Sequence, residues 1–140
     1  MSLRYQPSGV FIHLVWATNG RLPLLVPSLE RSVYRCLQHD AQRMGCQILA
    51  LGGTEDHVHV LVELPVTLTI SDLAKQLKGA SSHVANHMGD KSTLFRWQSG
   101  YFTLSVSPDG ILDLQQYIRD QKTHHADGSQ RLILEPASAG

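Results

Sequence analysis

The segment from His57 to Leu64 constrains the fold of this chain most tightly. Val58, Val60, Val62 and Leu64 alternate with His57, His59, Leu61 and Glu63. That period of two marks a β-strand whose faces meet different surroundings. Gln47–Leu51 reads as a preceding strand closed by Gly52-Gly53, and the short link between the two predicts an antiparallel hairpin. A lone hairpin is barely stable in water, so the flanking segments must cover it.

Those segments supply helices and further strands. Val10–Thr18 is an apolar run rich in β-branched and aromatic residues and reads as a buried strand. Turn chemistry follows at Asn19–Pro23. A helix is expected from Pro27-Ser28 to Gly45, with Leu29, Val33, Leu37 and Ala41 as its apolar stripe and Arg31, Arg35 and Arg43 on a solvated face. Thr69 and Asp72 form a capping pair for a second helix. Its expected stripe is Ile70, Leu73, Leu77, Val84 and Met88, with Lys75 and Lys78 off it and Gly89 past its end. After a polar stretch at 89–99, Tyr101–Ser107 reads as a fourth strand and Pro108–Gly110 as a turn. A third helix is expected over Ile111–His125, with Ile111, Leu114 and Ile118 facing a core. The order β-α-β-β-α-β is the split βαβ, or ferredoxin-like, arrangement of the α+β class: a four-stranded antiparallel sheet with two helices on one face. The third helix is extra and must dock across the open face or on a partner chain.

At 140 residues the chain is expected to be one domain, with a core over about 9–125 and an irregular tail at 126–140. A content of 42% hydrophobic and 17% charged residues argues against disorder. Twelve basic residues balance twelve acidic ones, so no global field draws the chain to nucleic acid. Apolar runs are only strand-sized and Met1–Pro7 lacks the apolar stretch of a secretory signal, so a cytoplasmic protein with no membrane partner is expected. Cys36 and Cys46 show no metal or redox spacing and read as reduced thiols. No nucleotide-binding motif is present.

Histidine is the anomaly, with eight in the chain. Strand alternation puts His57 and His59 on one face, about 6–7 Å apart, a spacing that suits one shared metal ion and equally suits two half-exposed strand histidines. Tyr117 and Gln121 are spaced i,i+4 and share the flank of the third helix's stripe, where a packed tyrosine and a solvated glutamine are the plainer reading. His83 and His87 share a helix face and read as solvated.

Taken together, three segments resemble a known family. Asp56–Val62 looks like the histidine–hydrophobic–histidine strand of the HUH transposases with a single catalytic tyrosine, which include REP-associated tyrosine transposases and small insertion-sequence transposases. Phe95–Tyr101, followed by Ser105–Ser107, resembles their lead into the last strand, and Tyr117–His125 resembles their nucleophile helix. His13 and Trp16 fit as well, and the resemblance spans about residues 9 to 125. Two departures stand out: Thr54-Glu55 replaces a more apolar or proline-containing lead-in, and Gly128 with a short irregular tail follows where relatives continue with helix.

The resemblance implies an enzyme that cleaves and rejoins single-stranded DNA through a 5′-phosphotyrosine intermediate. Tyr117 would be the nucleophile, and His57, His59 and Gln121 would hold one divalent ion, Mg²⁺ or Mn²⁺. Free tyrosine is only about 0.1% ionised at pH 7, so such a site needs help from a cation on the phosphate. Asp56 is either a partner orienting an imidazole or a turn residue of the hairpin. Lys75, Lys78, Arg96, Arg119 and Lys122 are candidates for phosphate contacts. His124 and His125 touch DNA or merely end the helix. The implied partners are single-stranded DNA with a hairpin and a second copy of the chain, giving a homodimer with two composite sites. The alternative is a catalytically silent ferredoxin-like nucleic-acid-binding protein derived from a transposase, and the intact His57, His59, Tyr117 and Gln121 count against it.

Overall fold

The computed structural model describes residues 8–89 and 93–123. Four strands, β1 (Phe11–Ala17), β2 (Gln47–Gly53), β3 (His57–Glu63) and β4 (Phe102–Val106), form one antiparallel sheet in the order β2-β3-β1-β4. Helices α1 (Pro27–Arg43) and α2 (Ile70–Met88) cover one face, and α3 (Ile111–Arg119) lies on the other, against β2 and β3. The α+β, ferredoxin-like expectation thus holds, and the extra helix docks on the open face of its own sheet.

Alternation explains the two layers. On β3, Val58, Val60 and Val62 enter the main core with Ile12, Leu14 and Trp16 of β1 and with Leu29, Val33 and Leu37 of α1. Leu61 faces the other way and packs with Ala50, Leu114, Tyr117 and Ile118. Every β3 residue is therefore buried.

Four details depart from the sequence expectation. First, Gly52 and Gly53 do not close β2 but pair within it, opposite His59 and Val58, and the link is Thr54–Asp56. The backbone of α3 comes so close to Gly52 that a Cβ there would lie 2.2 Å from the Ile118 carbonyl oxygen, so only glycine fits. Second, β2 has a register shift between Ile48 and Ala50, beside Leu49, whose carbonyl accepts from Gln115 Nε2 at 2.8 Å.

Third, the buried stripe of α2 runs Leu73, Leu77, Ser81, Ala85, while Met88 is exposed. Small Ser81 and Ala85 leave room for Phe95 and Trp97, and Trp97 Nε1 donates to Ser81 Oγ at 2.9 Å. The Thr69 cap is as expected, accepting from the Asp72 N–H at 3.1 Å. Fourth, the third helix is interrupted by a turn at Asp120, whose carboxylate accepts from Gln116 Nε2 at 2.7 Å. Aspartate competes for local hydrogen bonds and favours such breaks. Helical backbone resumes over 121–123. His124, His125 and the tail at 126–140 lie outside the described residues.

Arg31, Arg35 and Arg43 are exposed on α1 as expected. Cys36 and Cys46 are unbonded, and burial raises the Cys46 thiol to about 11. Among the described residues no helix is long and apolar enough to cross a membrane.

Candidate active site

The site forms where β3 passes beneath α3. His57 and His59 point to the same face, with ring centroids 5.1 Å apart. From above, α3 presents Tyr117 with its ring centroid 6.2 Å from that of His59, nearly perpendicular to it. Just past the turn at Asp120, Gln121 places Oε1 3.1 Å from His57 Nε2. One chain therefore gathers the two histidines, the tyrosine and the glutamine, all of them buried. Beyond the interruption, the side-chain Nε2 of Gln121 donates back to the Tyr117 backbone carbonyl at 3.5 Å.

Asp56 serves both expected roles. It sits in the β2–β3 link, and its Oδ1 lies 2.7 Å from His57 Nδ1, 3.0 Å from the Thr54 hydroxyl and 3.3 Å from Arg21. Burial works to raise its pKa, but the His57 hydrogen bond and the nearby charges of Arg21 and His57 outweigh it, and the carboxyl is held down to about 2. An ionised carboxylate only accepts, so His57 donates from Nδ1. In the neutral ring, Nε2 then carries a lone pair facing the Gln121 carbonyl oxygen. Two acceptors at 3.1 Å repel unless positive charge lies between them. This donor set suits a cation, supplied by either a metal or a second proton on His57. Among the described residues no three His, Cys, Asp or Glu side chains form a metal-holding group.

Two further residues support the site: one read in the sequence only as a departure from the family pattern, and one that fitted the resemblance without a stated role. Thr54, a departure from the expected lead-in, holds Asp56. His13 of β1 lies against His59, with His13 Nε2 2.8 Å from His59 Nδ1. Arg21 adopts φ 56°, a left-handed conformation that costs a non-glycine residue about 1–3 kcal/mol. It lies in the turn right after β1 and reaches Asp56 from there.

The cationic candidates separate. Lys78 donates to the Gln98 and Gly100 carbonyls at 2.8 and 2.7 Å, and burial lowers its pKa, so it straps the segment before β4. Lys122 pairs with Glu30 at 2.8 Å and donates to the Gly53 carbonyl at 3.3 Å. Lys75, Arg96 and Arg119 are exposed. His83 and His87 pack ring to ring on the exposed side of α2, away from the site.

A family model described as "Transposase IS200 like" matches residues 7–121. The chain belongs to the IS200-like transposase family. It is 29% identical over 114 residues to the ISDra2 transposase TnpA of Deinococcus radiodurans, covering 78% of this chain and 81% of that one. It is 28% identical over 131 residues to the transposase for insertion sequence element IS200 of Salmonella typhimurium, covering 90% and 86%. Among solved structures, a crystallised protein of Deinococcus radiodurans R1 aligns with a TM-score of 0.65 at 29% identity, over 86% of this chain and 97% of that one. A REP-associated tyrosine transposase bound to a REP hairpin aligns with a TM-score of 0.67 at 15% identity, over 89% and 73%, and so shares the fold. This IS200-like transposase chain thus spans most of the length of its relatives.

Proposed function

We propose that this IS200-like transposase cleaves and rejoins single-stranded DNA with Tyr117 as nucleophile. The observation that carries the reading is the convergence of Tyr117 with His57, His59 and Gln121 in one buried cluster of a family member. Tyr117 Oη attacks the phosphorus of a phosphodiester and the bond to the 3′ oxygen breaks. The products are a 5′-phosphotyrosine and a free 3′-OH. The phenol loses a proton and the departing oxygen gains one, so the step balances without water or a nucleotide. Attack by another 3′-OH reverses it and joins the new ends.

His57, His59 and Gln121 would hold the divalent ion, Mg²⁺ or Mn²⁺, and the bound ion would withdraw charge from a phosphate oxygen. Two neutral imidazoles and a neutral amide leave its charge uncompensated, and imidazole favours Mn²⁺ over Mg²⁺. Asp56 fixes the ring of His57 and orients Nε2 toward Gln121. An open depression of about 440 Å³ lined by Pro23, Thr54, Glu55, Asp56 and Lys122 adjoins the cluster and gives DNA a place to approach.

Single-stranded DNA beside a hairpin is the proposed substrate. Stacked duplex resists bending into a cleft, and extruding a base costs a few kcal/mol. The hairpin-bound relative shares the fold and supports a hairpin partner. Exposed Lys75, Arg96 and Arg119 are the phosphate contacts. A homodimer is the proposed assembly: β4 has a neighbour on one side only among the described strands, and Tyr101 and Phe102 are exposed at that edge.

The test uses hairpin-bearing single strands taken from DNA flanking the gene, labelled at the 3′ end, with Mn²⁺ or Mg²⁺. Label should become covalently attached to wild-type protein and should not attach in excess EDTA. A fully paired duplex of the same sequence should be nearly inert. Equal adduct yields on the single-stranded and duplex substrates would contradict the reading.

A further inference from the structure

We propose that His13 is a positioning residue of the metal site, holding His59 in the tautomer whose Nε2 carries a lone pair rather than a proton. The inference rests on the metal reading above and concerns a residue that reading does not use.

The imidazole pair carries it. His13 Nε2 lies 2.8 Å from His59 Nδ1, and the rings are 19° from coplanar with centroids 5.0 Å apart. Nearly coplanar rings meeting nitrogen to nitrogen share one in-plane N–H···N hydrogen bond. Both rings are fully buried, so solvent does not replace that contact. The sheet sets the meeting: β1 pairs Val15 with His59 and His13 with Leu61, which makes His13 the diagonal neighbour of His59 on the α3 face.

A neutral imidazole has one N–H. If His13 donated, His59 would keep its proton on Nε2, and that nitrogen would have no lone pair for a cation. If His59 donates from Nδ1, its Nε2 is left as a ligand. His57 is already arranged in the second way, with Nδ1–H given to Asp56 and Nε2 turned toward Gln121. The two strand histidines then present the same nitrogen, each held from behind by its own acceptor. One acceptor is a carboxylate and the other a neutral ring, so the cluster gains orientation twice and negative charge only once. A phenylalanine would fill the space at position 13, but it has no acceptor nitrogen.

Two measurements test this. The first is a long-range ¹H–¹⁵N spectrum of metal-free wild-type protein. His59 should appear as the Nδ1–H tautomer, and a His59 protonated on Nε2 alone would overturn the proposal. The second is Mn²⁺ affinity by calorimetry for wild type, His13→Phe and His13→Gln. Phenylalanine removes the acceptor and should weaken Mn²⁺ binding about 10- to 100-fold. Glutamine brings an amide oxygen near the place of Nε2 and should recover most of that loss. Phe binding Mn²⁺ as tightly as wild type, or Gln binding as weakly as Phe, would overturn the positioning role. If Phe does not fold, the wild-type spectrum and the Gln variant still decide. Wild-type protein that takes up no Mn²⁺ would remove the role through the metal reading itself. That failure differs from a wrong His13 contact, which the tautomer reports alone.

Discussion

Gly52→Ala tests whether the placement of α3 governs the site. The backbone of Gly52 is not in the left-handed region, so alanine introduces no conformational strain. Its Cβ, however, would sit 2.2 Å from the Ile118 carbonyl oxygen and 3.2 Å from Ile118 Cγ2. The helix must retreat by about 1 Å, and a gap of that size forfeits a quarter to a half of the dispersion contacts across it. The contacts at stake are those of Leu114, Tyr117 and Ile118 with Ala50 and Leu61. Overpacking of this kind costs about 1–3 kcal/mol. If that cost falls on docking, the docked population shifts about 5- to 150-fold. Hydrogen exchange of the α3 amides should accelerate by a comparable factor, while the amides of β1 and β3 hardly change. Covalent adduct formation should fall with it, since a 1 Å misplacement of reacting groups can cost about 100-fold. Gly79→Ala is the control: its added Cβ meets nothing within 4 Å, and inside α2 it should be neutral or slightly stabilising. Unchanged α3 protection and full activity in Gly52→Ala would refute the reasoning.

Further outcomes follow from single contacts. Asp56 has its pKa held down to about 2, so its contribution to stability is complete above about pH 4 and is lost as pH falls through 2. Wild type should therefore lose thermal stability more steeply between pH 4 and 2 than Asp56→Asn, and parallel curves would contradict the assignment. The same variant should bind Mn²⁺ about 10- to 100-fold more weakly, as read by calorimetry. Ser81→Ala leaves the buried Trp97 indole N–H without its acceptor and should cost about 1–3 kcal/mol in denaturant unfolding. A loss below about 0.5 kcal/mol would mean that the indole finds another partner.

The fold was largely legible because period-two and helical patterns are local. His57–Glu63 announces a strand by alternation, and Thr69 with Asp72 announces the start of a helix. Pairwise contacts decided what was misread. Gly52-Gly53 looks like a strand end in sequence, yet it is the notch that admits the α3 backbone, and no local signal distinguishes the two. Val84 and Met88 fit an apolar stripe on α2, but Trp97, distant in sequence, selects Ser81 and Ala85 instead. At the site, His57, His59, Tyr117 and Gln121 were legible as an ordered trio of motifs. His13 fitted the resemblance and Thr54 read as a departure from it, but their supporting roles appear only once strand register fixes who touches whom. Lys78 shows the reverse: its charge suggests DNA, and its geometry commits it to two carbonyls.

The central claim is that Tyr117 forms the covalent bond to DNA. It is tested most directly by trapping the adduct on single-stranded DNA, digesting the protein and mapping the modified peptide by mass spectrometry, with Tyr117→Phe in parallel. The account predicts a nucleotide remnant on Tyr117 and no adduct from Tyr117→Phe protein that remains folded and still binds the hairpin. An adduct that persists in Tyr117→Phe, or that maps to another residue, would contradict it.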